Sequence, residues 1–254
     1  MTDQLHHCVD ADAALRDTLR DALQAGTVVG DTADPLGHRE LLAYQFSIDN
    51  PQARITTSPS RPLNVISAVA RFVWMIAAND RLADIAVYEP KVSRYTDDGL
   101  IVPGSSYGRR IGQARPGLNQ LSGVVTRLRT DPGTRRAATV IWSPEDAVRD
   151  SNDIPCAFGT FYHMRDGGLT ATTVMRSNNA FLLLPFNIFE FSLLAEMVAA
   201  EVGAELRQYV HWAASMHVLN REFPQAERLL NDEVSVSLAM PRMPSAHSPL
   251  AQGR

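Results

Sequence analysis

Cys156 is the side chain with the clearest chemical potential in this sequence, where it ends the run Asp-Ile-Pro-Cys just before an apolar segment. A lone cysteine in that setting is most often a buried core residue. As a thiolate, however, cysteine is a strong nucleophile that can carry covalent catalysis. Two polar residues downstream stand at the ends of apolar segments: Arg176 ends one, and Asn187 begins another.

A second candidate is the arginine pair Arg135-Arg136, which follows the turn-forming sequence Asp-Pro-Gly-Thr. Paired arginines after a turn can belong to a solvated loop. They can equally hold a phosphate, because a planar guanidinium binds phosphate through two parallel hydrogen bonds. The residues alone leave both interpretations open.

Composition excludes several other functions. The chain has 254 residues and a formal net charge of −4, which argues against a general nucleic-acid binder. Its two cysteines, Cys8 and Cys156, form neither a disulfide framework nor a zinc pattern, so we predict no metal site. The polar N-terminus with His6 and His7 is expected to fray. Because we find neither an apolar leader nor a membrane-length apolar run, we expect no membrane association and a cytoplasmic location.

Hydrophobic periodicity predicts the elements that must position these residues. We predict a single α+β domain built around a sizeable sheet, with residues 1–237 as the catalytic domain and 238–254 as a flexible tail. The predicted helices cover 1–25, 63–79 and 187–203; the predicted strands cover 41–48, 137–142, 158–164, 168–175 and 205–213; and 26–40 and 92–116 are predicted to be irregular.

Several short motifs occur together in a particular order: Tyr107-Gly108, DPGTRR followed by Trp142, Pro155-Cys156, Arg176-Ser177 followed by Leu-Pro-Phe-Asn, and Met216-His217. In this order and at these separations they resemble the thymidylate synthase family, which includes the pyrimidine-nucleotide hydroxymethylases. The resemblance covers roughly residues 40–225. It implies a single thymidylate-synthase-like domain, with a large mixed sheet flanked by helices and a two-fold dimer formed through the sheet.

The resemblance assigns catalytic roles to three residues. Cys156 matches the nucleophile that adds to C6 of the pyrimidine. Arg176 matches the arginine that favours the thiolate and contacts the nucleotide phosphate, and Tyr107 matches the tyrosine that assists removal of the C5 proton. Addition at C6 turns C5 into an enolate-like carbon, which can attack the methylene of the co-substrate, 5,10-methylenetetrahydrofolate.

Further matches describe the binding of a pyrimidine nucleoside monophosphate. Arg135 and Arg136 match the pair that reaches the phosphate bound by the partner subunit, which implies a homodimer with shared active sites. Ser177 matches another phosphate contact. Asn187 matches the residue that reads the base edge, and His217 matches a ligand of the sugar hydroxyl.

On the cofactor side the sequence departs from the family pattern. Arg71 occupies the position of a catalytic glutamate that precedes the tryptophan, here Trp74. Asn179 replaces the aspartate that binds the pterin of the folate, and Leu183 replaces a glycine. Asn179 and Trp74 are therefore the expected folate contacts. Glu89 is a candidate replacement carboxylate with no assigned place.

Two departures concern the nucleotide. The N-terminal phosphate arginine of the family has no clear match, and Arg39 is the nearest candidate. Leu219 replaces a tyrosine that holds the deoxyribose 3′-hydroxyl together with the histidine, which makes room for a ribonucleotide.

Three functions follow from these matches and departures. The first is hydroxymethylation of CMP at C5, as in modified-nucleoside pathways, because the lost glutamate and altered cofactor wall favour capture of the methylene by water rather than hydride. The second is thymidylate synthesis from dUMP, favoured by Asn187. The third is a non-catalytic nucleotide-binding relative, against which stand Cys156 and the arginines.

Overall fold

An eight-stranded mixed sheet forms the centre of the computed structural model, which describes residues 5–113, 116–233 and 237–244. The strands are β1 (His6–Cys8), β2 (Thr27–Val29), β3 (His38–Ile48), β4 (Ala138–Val140), β5 (Ala157–Arg165), β6 (Gly168–Met175), β7 (Asn178–Asn179) and β8 (Glu205–Leu219). The main order is β1-β3-β8-β6-β5-β4, with β2 beside β3 and β7 beside β8. The predicted α+β class with a large mixed sheet is confirmed.

Helices pack against this sheet and against one another. They are α1 (Ala11–Ala25), α2 (Val65–Ile76), α3 (Leu82–Ala86), α4 (Tyr107–Gly112), α5 (Gln120–Thr130), α6 (Leu184–Glu201) and α7 (Phe223–Asn231). Three 3-10 helices span Pro90–Tyr95, Pro144–Ala147 and Asn220–Glu222. Helix α6 is buried along nearly its whole length, because it is apolar on all sides and lies against β6 and β8.

Strand alternation leaves the second face of the sheet partly open. Along β6 and β8 every second side chain is buried, whereas Thr172, Val174, Val210 and Trp212 between them are half-buried. Strands β5 and β6 are joined by a two-residue turn, in which Asp166 and Gly167 have φ values of 49° and 75°. Positive φ at both positions is the geometry that closes a tight hairpin.

Several predicted bounds need correction. Residues 6–8 pair in parallel with β3 rather than fraying, because Cys8 is buried and His7 contacts Ser47. Strand β8 continues to Leu219, six residues past the predicted end, and carries His217 within the sheet. Helix α4 lies within the stretch predicted to be irregular, and α5 and α7 were not predicted.

The segment that we predicted as a tail lies against the domain where the structure describes it. The Met240 amide donates to the Gln52 carbonyl at 3.0 Å, the Met243 amide donates to Glu196 at 3.1 Å, and Arg242 pairs with Glu205. Residues 245–254 lie outside the described part of the chain, so the domain boundary at 237 stays a prediction. Within the described residues, no helix has both the length and the apolar character needed to cross a membrane.

Candidate active site

Cys156 and Arg176 meet where β5 begins and β6 ends. The Arg176 amide donates to the Cys156 carbonyl at 2.7 Å, which holds the two residues side by side. The Arg176 guanidinium donates to the carbonyls of Pro155 and Ile154, both at 2.9 Å, and its Nη2 lies 3.9 Å from Cys156 Sγ. Its other face lies over the Trp142 ring, 5.8 Å from the centroid. The arginine is therefore fixed beside the thiol by backbone acceptors.

Burial raises the pKa of the Cys156 thiol above its ordinary value, and this effect is larger than the opposing effect of Arg176. Asp153 adds a smaller increase. Arg176 is the predicted neighbour of Cys156, but the net effect in this chain is a raised, not a lowered, thiol pKa. The guanidinium limits the cost of forming a buried thiolate.

Asp153 ties the loop that carries Cys156 to the loop that carries Tyr107. Its buried carboxylate accepts from the Gly104 amide, the Ser105 amide and the Ser105 hydroxyl, each at 2.6 Å. A carboxylate with three such donors is a strong, directional clamp. The sequence analysis missed this positioning residue, although an acidic residue beside a candidate nucleophile was a visible signal.

Tyr107 is buried at the start of α4, where its ring stacks on Phe191 with centroids 5.6 Å apart. The next residue must be glycine, because a Cβ on Gly108 would lie 1.7 Å from the Met75 carbonyl oxygen of α2. Burial raises the pKa of Tyr107 well above its ordinary value, and the neighbouring Cys156 contributes next. Tyr107 is therefore a neutral phenol close to the nucleophile.

Asn187 belongs to a chain of buried hydrogen bonds on α6, β7 and β8. Its Nδ2 lies 3.2 Å from Asn178 Oδ1, which also lies 2.8 Å from His211 Nε2. The other ring nitrogen of His211 is 2.9 Å from the Tyr209 hydroxyl. Burial lowers the pKa of His211 to about 3, so its ring is neutral and only one nitrogen carries hydrogen.

A backbone carbonyl sets the direction of this chain. Asn178 Nδ2 donates to the Asn179 carbonyl at 3.1 Å, and a carbonyl can only accept. Asn178 therefore offers its Oδ1 to both neighbours, which must be donors. Asn187 accordingly turns its Nδ2 inwards, and its Oδ1 is left as an acceptor.

Ser177 and His217 lie together beside the arginine. Ser177 Oγ is 3.5 Å from His217 Nδ1, and the ring of His38 is 5.5 Å from the His217 ring. Burial lowers the pKa of His217 to about 4, with a smaller contribution from His38, so the ring is neutral near pH 7. Glu40 lies directly opposite His217 in the sheet and accepts from Ser215 at 2.5 Å. His38 and Glu40 were not predicted.

Arg39 does not join this group. Its guanidinium donates to the Leu23 carbonyl at the end of α1 and lies 5.3 Å from the Phe223 ring centroid of α7. Successive side chains of a strand point to opposite faces, so Arg39 faces the helices while Glu40 faces His217. Arg39 is thus engaged with α1 and α7, and its phosphate contact stays a prediction.

Arg135 and Arg136 are exposed and immediately precede β4. The Ala137 carbonyl pairs with the Tyr162 amide of β5 at 2.9 Å. Six residues separate Cys156 from Tyr162, which corresponds to about 20 Å at the rise of an extended strand. At that separation the pair does not reach Cys156 of its own chain.

The predicted folate contacts are occupied within the chain. Asn179 donates to both oxygens of the Glu222 carboxylate, at 2.9 and 3.1 Å, and accepts from the Leu182 amide at 2.6 Å. Burial raises the pKa of Glu222 above its ordinary value. Trp74 is 8% exposed and packs with Ile85. Asn179 therefore supports Glu222 rather than offering a free amide.

Arg71, at the position of the family glutamate, pairs with Glu190 of α6, and its guanidinium lies over the Phe186 ring at 5.3 Å. Glu190 is almost fully buried. Glu89, the candidate replacement carboxylate, immediately precedes the 3-10 helix Pro90–Tyr95, makes no capping hydrogen bond to it, and contributes a weaker charge interaction to Arg71. The acidic residue beside Arg71 is therefore Glu190.

Comparison with known proteins agrees with this fold and shows the family. Residues 14–247 match the family model for thymidylate synthase, so the chain belongs to the thymidylate synthase family. The thymidylate synthase of Bacillus licheniformis is 27% identical over 188 residues, which cover 71% of this chain and 66% of that protein. The deoxyuridylate hydroxymethyltransferase of Bacillus phage SP01 is 28% identical over 203 residues, which cover 74% of this chain and 53% of that protein. The chain thus spans just under two thirds of the first relative and about half of the second.

Proposed function

We propose that this protein transfers the one-carbon unit of 5,10-methylenetetrahydrofolate to C5 of CMP and releases 5-hydroxymethyl-CMP. The observation that carries the proposal is Cys156 Sγ at 3.9 Å from a guanidinium that is itself fixed by backbone carbonyls. A binding protein would have no need of a thiol held in this way. Asn187, Tyr107 and His217 supply the base, proton-transfer and sugar contacts.

The chemistry follows from that arrangement. The Cys156 thiolate adds to C6, and the electron pair displaced to C5 attacks the folate methylene. Loss of the C5 proton and of tetrahydrofolate leaves an exocyclic methylene at C5. Capture by water gives a hydroxymethyl group, and the relatives include a deoxyuridylate hydroxymethyltransferase.

The preference for ribose has support on the sugar side. Leu219 ends β8 and offers no hydroxyl, whereas Glu40 presents a carboxylate beside His217. A carboxylate can accept hydrogen bonds from two neighbouring hydroxyl groups. A ribose has such a pair, and a deoxyribose does not.

We further propose a two-fold homodimer through the open face of the sheet. Large apolar side chains are exposed on its strands, at Leu42, Val140, Phe158 and Phe161. Exposed apolar side chains gathered on a protein surface are typical of association surfaces. Such a dimer would bring Arg135 and Arg136 to the phosphate of the other site, and this agrees with their distance from Cys156 in one chain.

Thymidylate synthesis from dUMP is the alternative, since the Asn187 acceptor suits the N3–H of uracil as well as the amino group of cytosine. The test is mass analysis of the products formed from CMP, dCMP, UMP and dUMP with methylenetetrahydrofolate. Gain of CH2O on CMP supports the proposal. Gain of CH2 on dUMP, with CMP unchanged, overturns it.

A further inference from the structure

Helix α6 ends at Glu201 and carries two further acidic residues, Glu190 and Glu196, within its largely apolar interior. Each is buried and each pairs with an arginine: Glu190 with the half-buried Arg71, and Glu196 with the fully buried Arg54. An isolated charge in such a helix is strongly unfavourable, so each needs its partner. At 1.5 Å per residue the two carboxylates are about 9 Å apart along the helix.

The surroundings of the two pairs differ. Glu196 also accepts from the Met243 amide, and Arg54 also donates to the Pro51 carbonyl, so this pair ties chain segments together. Glu190 instead lines a small cavity with Arg71, Tyr107, Trp74 and Ser105. The cavity has about 10 Å³ of space, which is room for roughly one water molecule.

The cavity lies close to Cys156, with Tyr107 between them. Tyr107 lines it, and the charges of Cys156, Arg71 and Glu190 all act on the Tyr107 phenol. Among the described residues that line the cavity, Glu190 is the only one with a carboxylate. Glu190 Oε2 lies 3.4 Å from Arg71 Nη2, and Oε1 pairs with Arg71 Nε. Each carboxylate oxygen has two lone pairs, so each retains one for a water hydrogen.

We infer that Glu190 is the general base that takes a proton from the water adding to the exocyclic methylene, and that Arg71 positions it. This inference rests on the proposed function. The water oxygen forms a bond to the methylene carbon, and its proton passes to the Glu190 carboxylate. The methylene π electrons move to C5 and the ring, re-form the C5–C6 double bond and expel the Cys156 thiolate. The carboxylate lost with the family glutamate would thus be supplied from α6.

The test compares Glu190→Gln with Glu196→Gln and Glu89→Gln in the full-length protein. Removal of a general base should lower kcat for hydroxymethyl product by about 10²–10⁴-fold, with CMP affinity changed by less than about threefold. Release of tritium from [5-³H]CMP should persist for one turnover, and intact mass should show nucleotide with its methylene bound to Cys156. Glu196→Gln and Glu89→Gln should keep kcat within about threefold of wild type, even where Tm falls.

Because Glu190→Gln leaves Arg71 without its partner, the double variant Arg71→Met/Glu190→Met serves as a second check. Replacing a buried ion pair by apolar residues of similar size often preserves stability, so this variant should fold and lack hydroxymethyl product. Wild-type kcat in either Glu190 variant overturns the inference. So does loss of tritium release along with product, since the defect would then precede water addition.

The product formed by the wild-type enzyme tests the proposed function separately. Hydroxymethylation of dCMP, UMP or dUMP in place of CMP refutes the proposed substrate but leaves the Glu190 comparison valid with that nucleotide. Hydroxymethyl-CMP from the wild type together with an unaffected Glu190→Gln variant refutes only the role of Glu190.

Discussion

The two walls of the candidate site are built in different ways. The thiol wall, Cys156 and Arg176, is held by backbone: the arginine donates to the Ile154 and Pro155 carbonyls, and β5 and β6 fix the pair in register. The carboxylate wall, Arg71, Glu190, Asn179 and Glu222, is held by side-chain pairs between separate elements. The thiol wall follows the family pattern, whereas the carboxylate wall departs from it at Arg71 and Asn179.

This difference shows which features of a site can be exchanged. A contact to a backbone carbonyl depends on the strand geometry, so one substitution cannot relocate it. In a side-chain pair, the acidic residue can move from one partner position to the other, and the region still keeps a carboxylate. Arg71 faces Glu190, and Asn179 faces Glu222, so each departure retains an acidic partner nearby. The carboxylate wall is therefore where specificity can change without loss of the nucleophile.

The largest effect is expected from the thiol wall. Cys156→Ser should lower kcat by about 10⁴-fold or more, the order seen when a nucleophile is removed, because a hydroxyl beside Arg176 is a far weaker nucleophile at neutral pH. Nucleotide affinity should remain close to wild type, as measured by calorimetry. Cys8→Ser is the matched control, since that buried thiol lies in β1 and should affect only stability. Near-normal turnover by purified Cys156→Ser would end the covalent interpretation.

The second prediction tests whether the thiol wall is completed by another chain. Arg136→Ala should be nearly inactive, and mixing it with inactive Cys156→Ser should restore up to about a quarter of wild-type activity, because half the dimers are mixed and each has one intact site. Activity after subunit exchange is the measurement. Arg129→Ala, on the nearby helix α5 and paired with Glu201, is a control that should remain active alone. Proven exchange with no recovery would contradict a shared site.

The sequence predicts the thiol wall better than the carboxylate wall, for physical reasons. Alternating apolar residues indicate β6 and most of β5, and these strands alone place Arg176 beside Cys156. Glu190 pairs with a residue of α2, over one hundred positions away, and no local pattern encodes that pairing. The available signal was Glu190 itself, because an acidic residue inside a largely apolar helix requires a buried partner. Helix α5 was not predicted for a different reason. Its Gly123 and β-branched residues have low helix propensity, and tertiary packing makes the segment helical.

The third prediction concerns the carboxylate wall. Asn179→Asp, which restores the family residue, should destabilise this protein by about 1–3 kcal/mol at pH 7.5, because a donor to the buried Glu222 becomes a second acceptor. Burial already raises the pKa of Glu222, and a second carboxylate raises it further. The folded state then binds more protons than the unfolded state, so stability increases as pH falls. The free energy of unfolding, measured with denaturant, should fall below that of wild type by less at pH 5 than at pH 7.5. For Asn179→Ser, the difference from wild type should change little with pH.

The smallest effect is expected at Leu219, which ends β8 opposite His38. Leu219→Tyr returns a hydroxyl to the sugar side, where it can hold a deoxyribose 3′-hydroxyl together with His217. A neutral hydrogen bond is worth about 0.5–1.5 kcal/mol, so the kcat/KM ratio of dCMP to CMP should rise by about threefold to tenfold. Leu219→Phe adds the ring without the hydroxyl and should leave that ratio unchanged if hydrogen bonding is the cause. An equal change in both variants would show that filled volume, rather than a bond to the sugar, sets the preference. A wild-type enzyme that already prefers dCMP would remove the argument from Leu219, while the thiol wall and its predictions would stand.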